Sequence, residues 1–131
     1  MAEDWAARGR EIQRQLWGES SASAERPALP AAEVAPEYFD LVRESCFGMF
    51  WSRPGLAVRD RSLVTVAVLA AMGKPEELAA HLHGARNVGL SQEELVEALM
   101  HVGVYAGVPT GVNALKVAAS VFTPKAPPAE T

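Results

Sequence analysis

The run "LVTVAVLAAMG", Leu63 to Gly73, constrains this chain most. It is apolar at nearly every position, yet too short for the ~20 residues a membrane span requires. A helix with no polar face belongs in the centre of a fold, so this stretch predicts a buried, central helix. Asp60 is a plausible N-cap for it and Gly73 its stop. Three arginines, Arg53, Arg59 and Arg61, crowd its entrance within "FWSRPGLAVRDRSL". Arg61 falls in the first turn, where the helix dipole disfavours a cation. A residue placed against local preference points to function; a salt bridge to Asp60 or Glu44 is the plain alternative. Guanidinium forks match carboxylate geometry, which makes Arg53 and Arg61 candidates for holding an acidic ligand. Arg59 reads as surface.

The rest of the chain reads as helix too. Residues about 3 to 17 place Trp5, Ala6, Ile12, Leu16 and Trp17 among charges, as a surface helix does. Residues 18 to 31 are a polar, proline-containing linker. A second helix is expected over about 36 to 47, and Pro54-Gly55 is a turn. Pro75 opens a fourth helix, with Glu76 and Glu77 near its positive end. Its core stripe is Leu78, Leu82 and Ala85, and Gly89 stops it. Ser91 and Glu94 make a capping box for a helix over about 91 to 105. Pro109 opens the last, about 109 to 122. The expectation is an all-α bundle of about six helices in one domain, 1–123, with a disordered Pro-rich tail, 124–131.

Composition narrows the function. With 131 residues and 49% hydrophobic content the chain suits one domain with a real core. Twelve basic against sixteen acidic residues leave no cationic stripe for nucleic acid or a membrane surface. The N-terminus "MAEDWAARGREIQ" lacks the apolar region of a signal peptide, so a cytoplasmic location is expected. The single cysteine, Cys46, forms no C-x-x-C pair and reads as a small buried apolar residue.

Glu77 and His81 stand four apart, on one helical face that borders the Leu78/Leu82 stripe. A carboxylate beside a histidine orients the ring and favours its charged form, which suits a general acid. The alternative is an ordinary exposed helix pair. His83 points to another side of the helix, so His81 and His83 make a poor metal pair, and no metal site is expected. His101, in "ALMHVGVYAG", reads as a core or interface histidine.

Together these stretches resemble the carboxymuconolactone decarboxylase family. "WSRPGL" (51 to 56) is similar to its W-[ST]-R-P-G-L signature. "RSLVTVAVLAAMGKPEELAAHLHGARNVGLSQEEL" is similar to its long central block, and "VYAGVP" (104 to 109) to its Y-x-G-V-P ending. The resemblance spans about residues 5 to 122. It implies an alkylhydroperoxidase D-like helical bundle that assembles with itself as a trimer or hexamer, with sites near subunit contacts. It also implies a cofactor-independent carbon-carbon lyase of aromatic catabolism acting on a carboxylated butenolide such as 4-carboxymuconolactone, or on a related lactone or β-keto acid. In that reading Arg53, Arg61, Trp51 and Met49 contact substrate, His81 donates the proton, and Glu77 orients it.

Three departures stand out. Met49 occupies the place of an acid in the family's G-E-x-W, Val112 that of an asparagine, and "NVG" that of Asn-Asn-Gly. They leave open a paralogue that isomerises, cyclises or opens a related ring in a biosynthetic pathway, or a small-molecule-binding oligomer without activity. The peroxidase branch of the superfamily uses C-x-x-C-x-x-x-H. Here Lys74 and Glu77 fill the cysteine positions ahead of His81, so thiol peroxidase chemistry is not expected.

Overall fold

The computed structural model describes residues 3–18 and 30–122. Within them the chain forms seven α-helices and one π-helix, without strands: α1 Trp5–Trp17, α2 Pro30–Val34, α3 Pro36–Leu41, the π-helix Val42–Trp51, α4 Val58–Met72, α5 Pro75–Asn87, α6 Gln92–Ala106 and α7 Val108–Phe122. The all-α class expected from sequence is what the structure shows. Most of the expected linker, 19–29, and the expected disordered tail lie outside the described residues. Two compact units divide the chain, one up to Arg61 and one from Ser62.

The first unit is built on α1 packed against the π-helix. Asp4 caps α1 by accepting from the Ala7 amide at 2.9 Å. Ile12 and Leu16 are buried along α1, Phe47 and Trp51 along the π-helix. Trp17 meets Phe47 edge-on at 5.7 Å, and Phe47 and Trp51 lie 5.6 Å apart. Arg43 donates from Nε to the buried Gln13 side chain at 2.9 Å, tying the two helices by a polar contact.

Two glycines set how close these helices come. A methyl group at Gly9 would run into the Arg43 carbonyl, and one at Gly48 into the Trp5 carbonyl. Both obstacles are backbone and cannot swing aside. Gly48→Ala is therefore expected to destabilise the protein by about 1–3 kcal/mol, the usual cost of overpacking. Thermal denaturation followed by circular dichroism checks this; an unchanged midpoint would show that the crossing is not tight.

The second helix expected over 36–47 is in fact α3 followed by a π-helix that runs on to Trp51. The π-helix is rare, and its single-turn form occurs frequently at functional sites.

The second unit has a continuous core. Val66 and Ala70 of α4, Leu78, Leu82 and Ala85 of α5, Leu95, Leu99 and Val102 of α6, and Ala114 and Ala118 of α7 pack together, with Leu90 from the α5–α6 turn. The expected α5 stripe is thus the observed one. Pro75 opens α5 and the expected capping box opens α6, with Ser91 Oγ accepting from the Glu94 amide at 3.0 Å and Glu94 Oε1 from the Ser91 amide at 3.1 Å. Gly89 has φ 103°, a conformation only glycine adopts cheaply, and it ends α5 where expected.

Helix α4 departs from expectation twice. It starts at Val58, not after Asp60: the Ala57 carbonyl already accepts from the Arg61 amide at 2.9 Å, and Asp60 pairs with Arg59 at 3.2 Å inside the first turn. It is also buried on one side only. Ser62, Val66 and Ala70 face inward, while Val64, Val68 and Met72 are 55%, 47% and 62% exposed. The apolar run is central in sequence and half uncovered within the chain.

Candidate functional site

In the first unit the π-helix delivers Met49, Phe50 and Trp51 to the turn that leads into α4. Trp51 is buried against Phe47, so its ring belongs to the core. Met49 and Phe50 are 49% and 59% exposed. The Arg53 amide donates to the Phe50 carbonyl at 3.1 Å, closing the first bend. Pro54 follows and confines the Arg53 backbone to extended conformations.

Arg61 reaches back over this turn. Its Nε donates to the Leu56 carbonyl and its Nη2 to the Arg53 carbonyl, each at 3.1 Å. The expected alternatives for Arg61, salt bridges to Asp60 or Glu44, are not what the structure draws: Asp60 pairs with Arg59. Both guanidiniums of the candidate pair lie near one aromatic ring. The Phe50 centroid is 5.2 Å from the Arg61 guanidinium carbon and 5.9 Å from that of Arg53. At such distances a ring face attracts a cation. Phe50 is the residue that sequence reasoning missed; nothing in its spacing marks it.

In the second unit His81 is half-buried on α5, and its Nδ1 is withdrawn from solvent. His83 is exposed, as the geometry of i and i+2 on a helix requires. Glu77 is exposed and makes no hydrogen bond to His81. The expected orienting contact is therefore absent from this chain, and any influence of Glu77 on the ring acts through space over one helical turn. No group of three metal-ligating side chains forms among the described residues.

His101 is not a core residue. It is exposed and its ring lies 5.1 Å from that of Tyr105. Both line an open groove of about 430 Å³ between α4 and α6, with Ala67, Val68, Ala71 and Val102. Cys46 is exposed as well, correcting the expectation of a buried residue. Desolvation by its neighbours raises the thiol pKa above its ordinary value, opposed by a hydrogen bond with Trp51. A raised thiol pKa means less thiolate at neutral pH, the reverse of a reactive cysteine.

Residues 36–120 match the pattern of the Carboxymuconolactone decarboxylase family. The chain belongs to that family. Its relatives include the 4-carboxymuconolactone decarboxylase of Acinetobacter baylyi, 35% identical over 114 residues, which covers 87% of this chain and 84% of that protein. The nitrosuccinic acid decarboxylase of Metarhizium robertsii is 35% identical over 102 residues, 78% of this chain and 69% of that one. Family membership and these names support a decarboxylase. No helix among the described residues is long and apolar enough to cross a membrane.

Proposed function

We propose that this family member is a cofactor-independent decarboxylase of a small carboxylic acid whose neighbouring group accepts the electron pair released with CO₂. The observation that carries this reading is the pair of relatives, equally identical to this chain, named for decarboxylating two different acids. A butenolide and a nitro acid have one useful property in common. When the carbon–carboxylate bond breaks, its electrons pass into the lactone carbonyl or the nitro group. A proton then returns to carbon, in the butenolide at the ring carbon next to the lactone carbonyl and in the nitro acid at the carbon that lost CO₂, so the substrate is its own electron sink.

Residue roles follow from the chemistry needed. A guanidinium at the 50–61 turn holds a carboxylate. His81 gives its proton to that carbon, with the Glu77 carboxylate one helical turn away. Met49 and Val112 are exposed where the family pattern has an acid and an asparagine. They favour a preferred substrate other than 4-carboxymuconolactone itself, including a paralogue's substrate in a biosynthetic pathway, with the two relatives' acids turned over as poorer analogues. The working form is a homo-oligomer.

Purified protein, dialysed against a chelator, should release CO₂ from 4-carboxymuconolactone, from nitrosuccinic acid or from both. The assay is CO₂ capture with carboxyl-labelled acid. No release above the uncatalysed rate from either compound would overturn this reading.

A further inference from the structure

The two arginines of the 50–61 turn look equivalent in sequence and differ in their bonding. Arg61 spends Nε and Nη2 on two backbone carbonyls, those of Leu56 and Arg53. Those carbonyls lie in the turn itself, so Arg61 works as an internal strut. Arg53 is the reverse. Its backbone is pinned on both sides, the amide by the Phe50 carbonyl and the carbonyl by Arg61. Its side chain forms no hydrogen bond or ion pair among the described residues; its one partner is the Phe50 ring. The nearby first-turn acid, Asp60, is engaged by Arg59 at 3.2 Å. A cation on a fixed backbone, resting near an exposed ring and without a counter-ion among the described residues, is prepared for an external one.

We infer that Arg53 alone meets the substrate carboxylate, that Arg61 is a positioning residue which shapes the turn, and that Phe50 is a specificity-determining residue which receives the flat, unsaturated body of the acid. The substrate therefore presents one carboxylate to this surface, gripped by one guanidinium. This inference rests on the proposed function for the identity of the ligand as an acid, but its test reads binding without turnover.

The probe is 2-furoate, a planar five-membered oxygen heterocycle bearing one carboxylate, with uncharged 2-furamide as its control. Both are titrated into the full chain while backbone amide resonances are followed. Furoate should shift the amides of residues 50 to 61, and furamide should not. Arg53→Gln should weaken furoate by roughly 10- to 100-fold, the worth of a hydrogen bond to a charged group. It should also abolish the dependence of binding on salt. Arg61→Lys keeps the charge and loses the two-point geometry. It should lower the unfolding temperature and weaken furoate while retaining the salt dependence. Phe50→Leu should weaken furoate and leave the weaker binding of acetate, which has no flat body, unchanged.

An Arg53→Gln protein that binds furoate as the wild type does would overturn the inference. So would an Arg61→Lys protein of normal stability in which furoate binding is lost, since that would make Arg61 the ligand. Absence of any furoate response at residues 50 to 61 in the wild type would overturn it too. Furoate binding at the turn without CO₂ release from either acid would uphold this inference and defeat the decarboxylase reading. Turnover with an unresponsive turn would do the opposite.

Discussion

Replacing His81 by asparagine is expected to lower kcat by roughly 10²–10⁴-fold, the range that a positioned general acid contributes. His81 rides on α5, whose inward face is locked by Leu78, Leu82 and Ala85. These three belong to the continuous core, which anchors the helix that carries the ring. The ring itself is half-buried, at the border of that face and the surface. Asparagine is polar and smaller, and it has no proton to give near neutral pH. Carboxylate binding, proposed for Arg53, should leave KM within a few-fold of the wild type. That split separates lost chemistry from lost binding. Glu77→Gln should cost less, because Glu77 is exposed and makes no hydrogen bond to the ring. His83→Asn serves as the control, since His83 is exposed on another side of α5. The measurement is steady-state kinetics on whichever acid releases CO₂. Equal activity of the His81 and His83 variants would falsify the assignment.

Where local rules decide structure, the sequence was readable. Pro75, the Ser91/Glu94 capping box and Gly89 each act through their own backbone neighbours, and each sits where its chemistry placed it. The π-helix was not readable. Phe39, Val42 and Cys46 are spaced as an α-helix would space them, and nothing in that spacing marks the wider turns of Val42–Trp51. The start of α4 was missed by three residues: the helix begins at Val58, and Asp60 pairs with Arg59 inside its first turn instead of capping it. Arg61 shows the same ambiguity at the site. Its conflict with the helix dipole looked like a mark of function. The structure gives it a local reason, two turn carbonyls that need donors. Composition cannot tell a strut from a ligand, because both want the same fork of N–H groups. Phe50 had no sequence signal, since its importance comes from two guanidiniums that only the folded turn brings to it.

The apolar run 63–73 carries the other large effect, on assembly. An apolar stretch announces that it will be covered and does not say by what. Within the chain one side of α4 is covered by the core, while Val64, Val68 and Met72 remain largely exposed at i, i+4 and i+8. Across the groove of about 430 Å³, α6 adds Tyr105, and Val104 beside it is 80% exposed. Contiguous apolar surface of this kind is uncommon on monomers and marks an interface. Each such side chain is worth about 1.5–3 kcal/mol when fully buried. A second copy of the chain is the proposed occupant, so the wild type should run as a trimer or hexamer of the 14.0 kDa chain at micromolar concentration. Val68→Glu places a carboxylate in the groove wall, where burial without a partner is costly. It should shift the population to monomer by at least about 10²-fold in dissociation constant, a change of roughly 2.8 kcal/mol. Lys116→Glu, an exposed charge on α7, should leave assembly as it was and control for net charge. Light scattering coupled to size exclusion reads all three proteins. A wild type that stays a stable monomer would sink the proposal. If it assembles and Val68→Glu assembles equally well, the interface must lie elsewhere, and the exposed stripe on α4 would need another explanation.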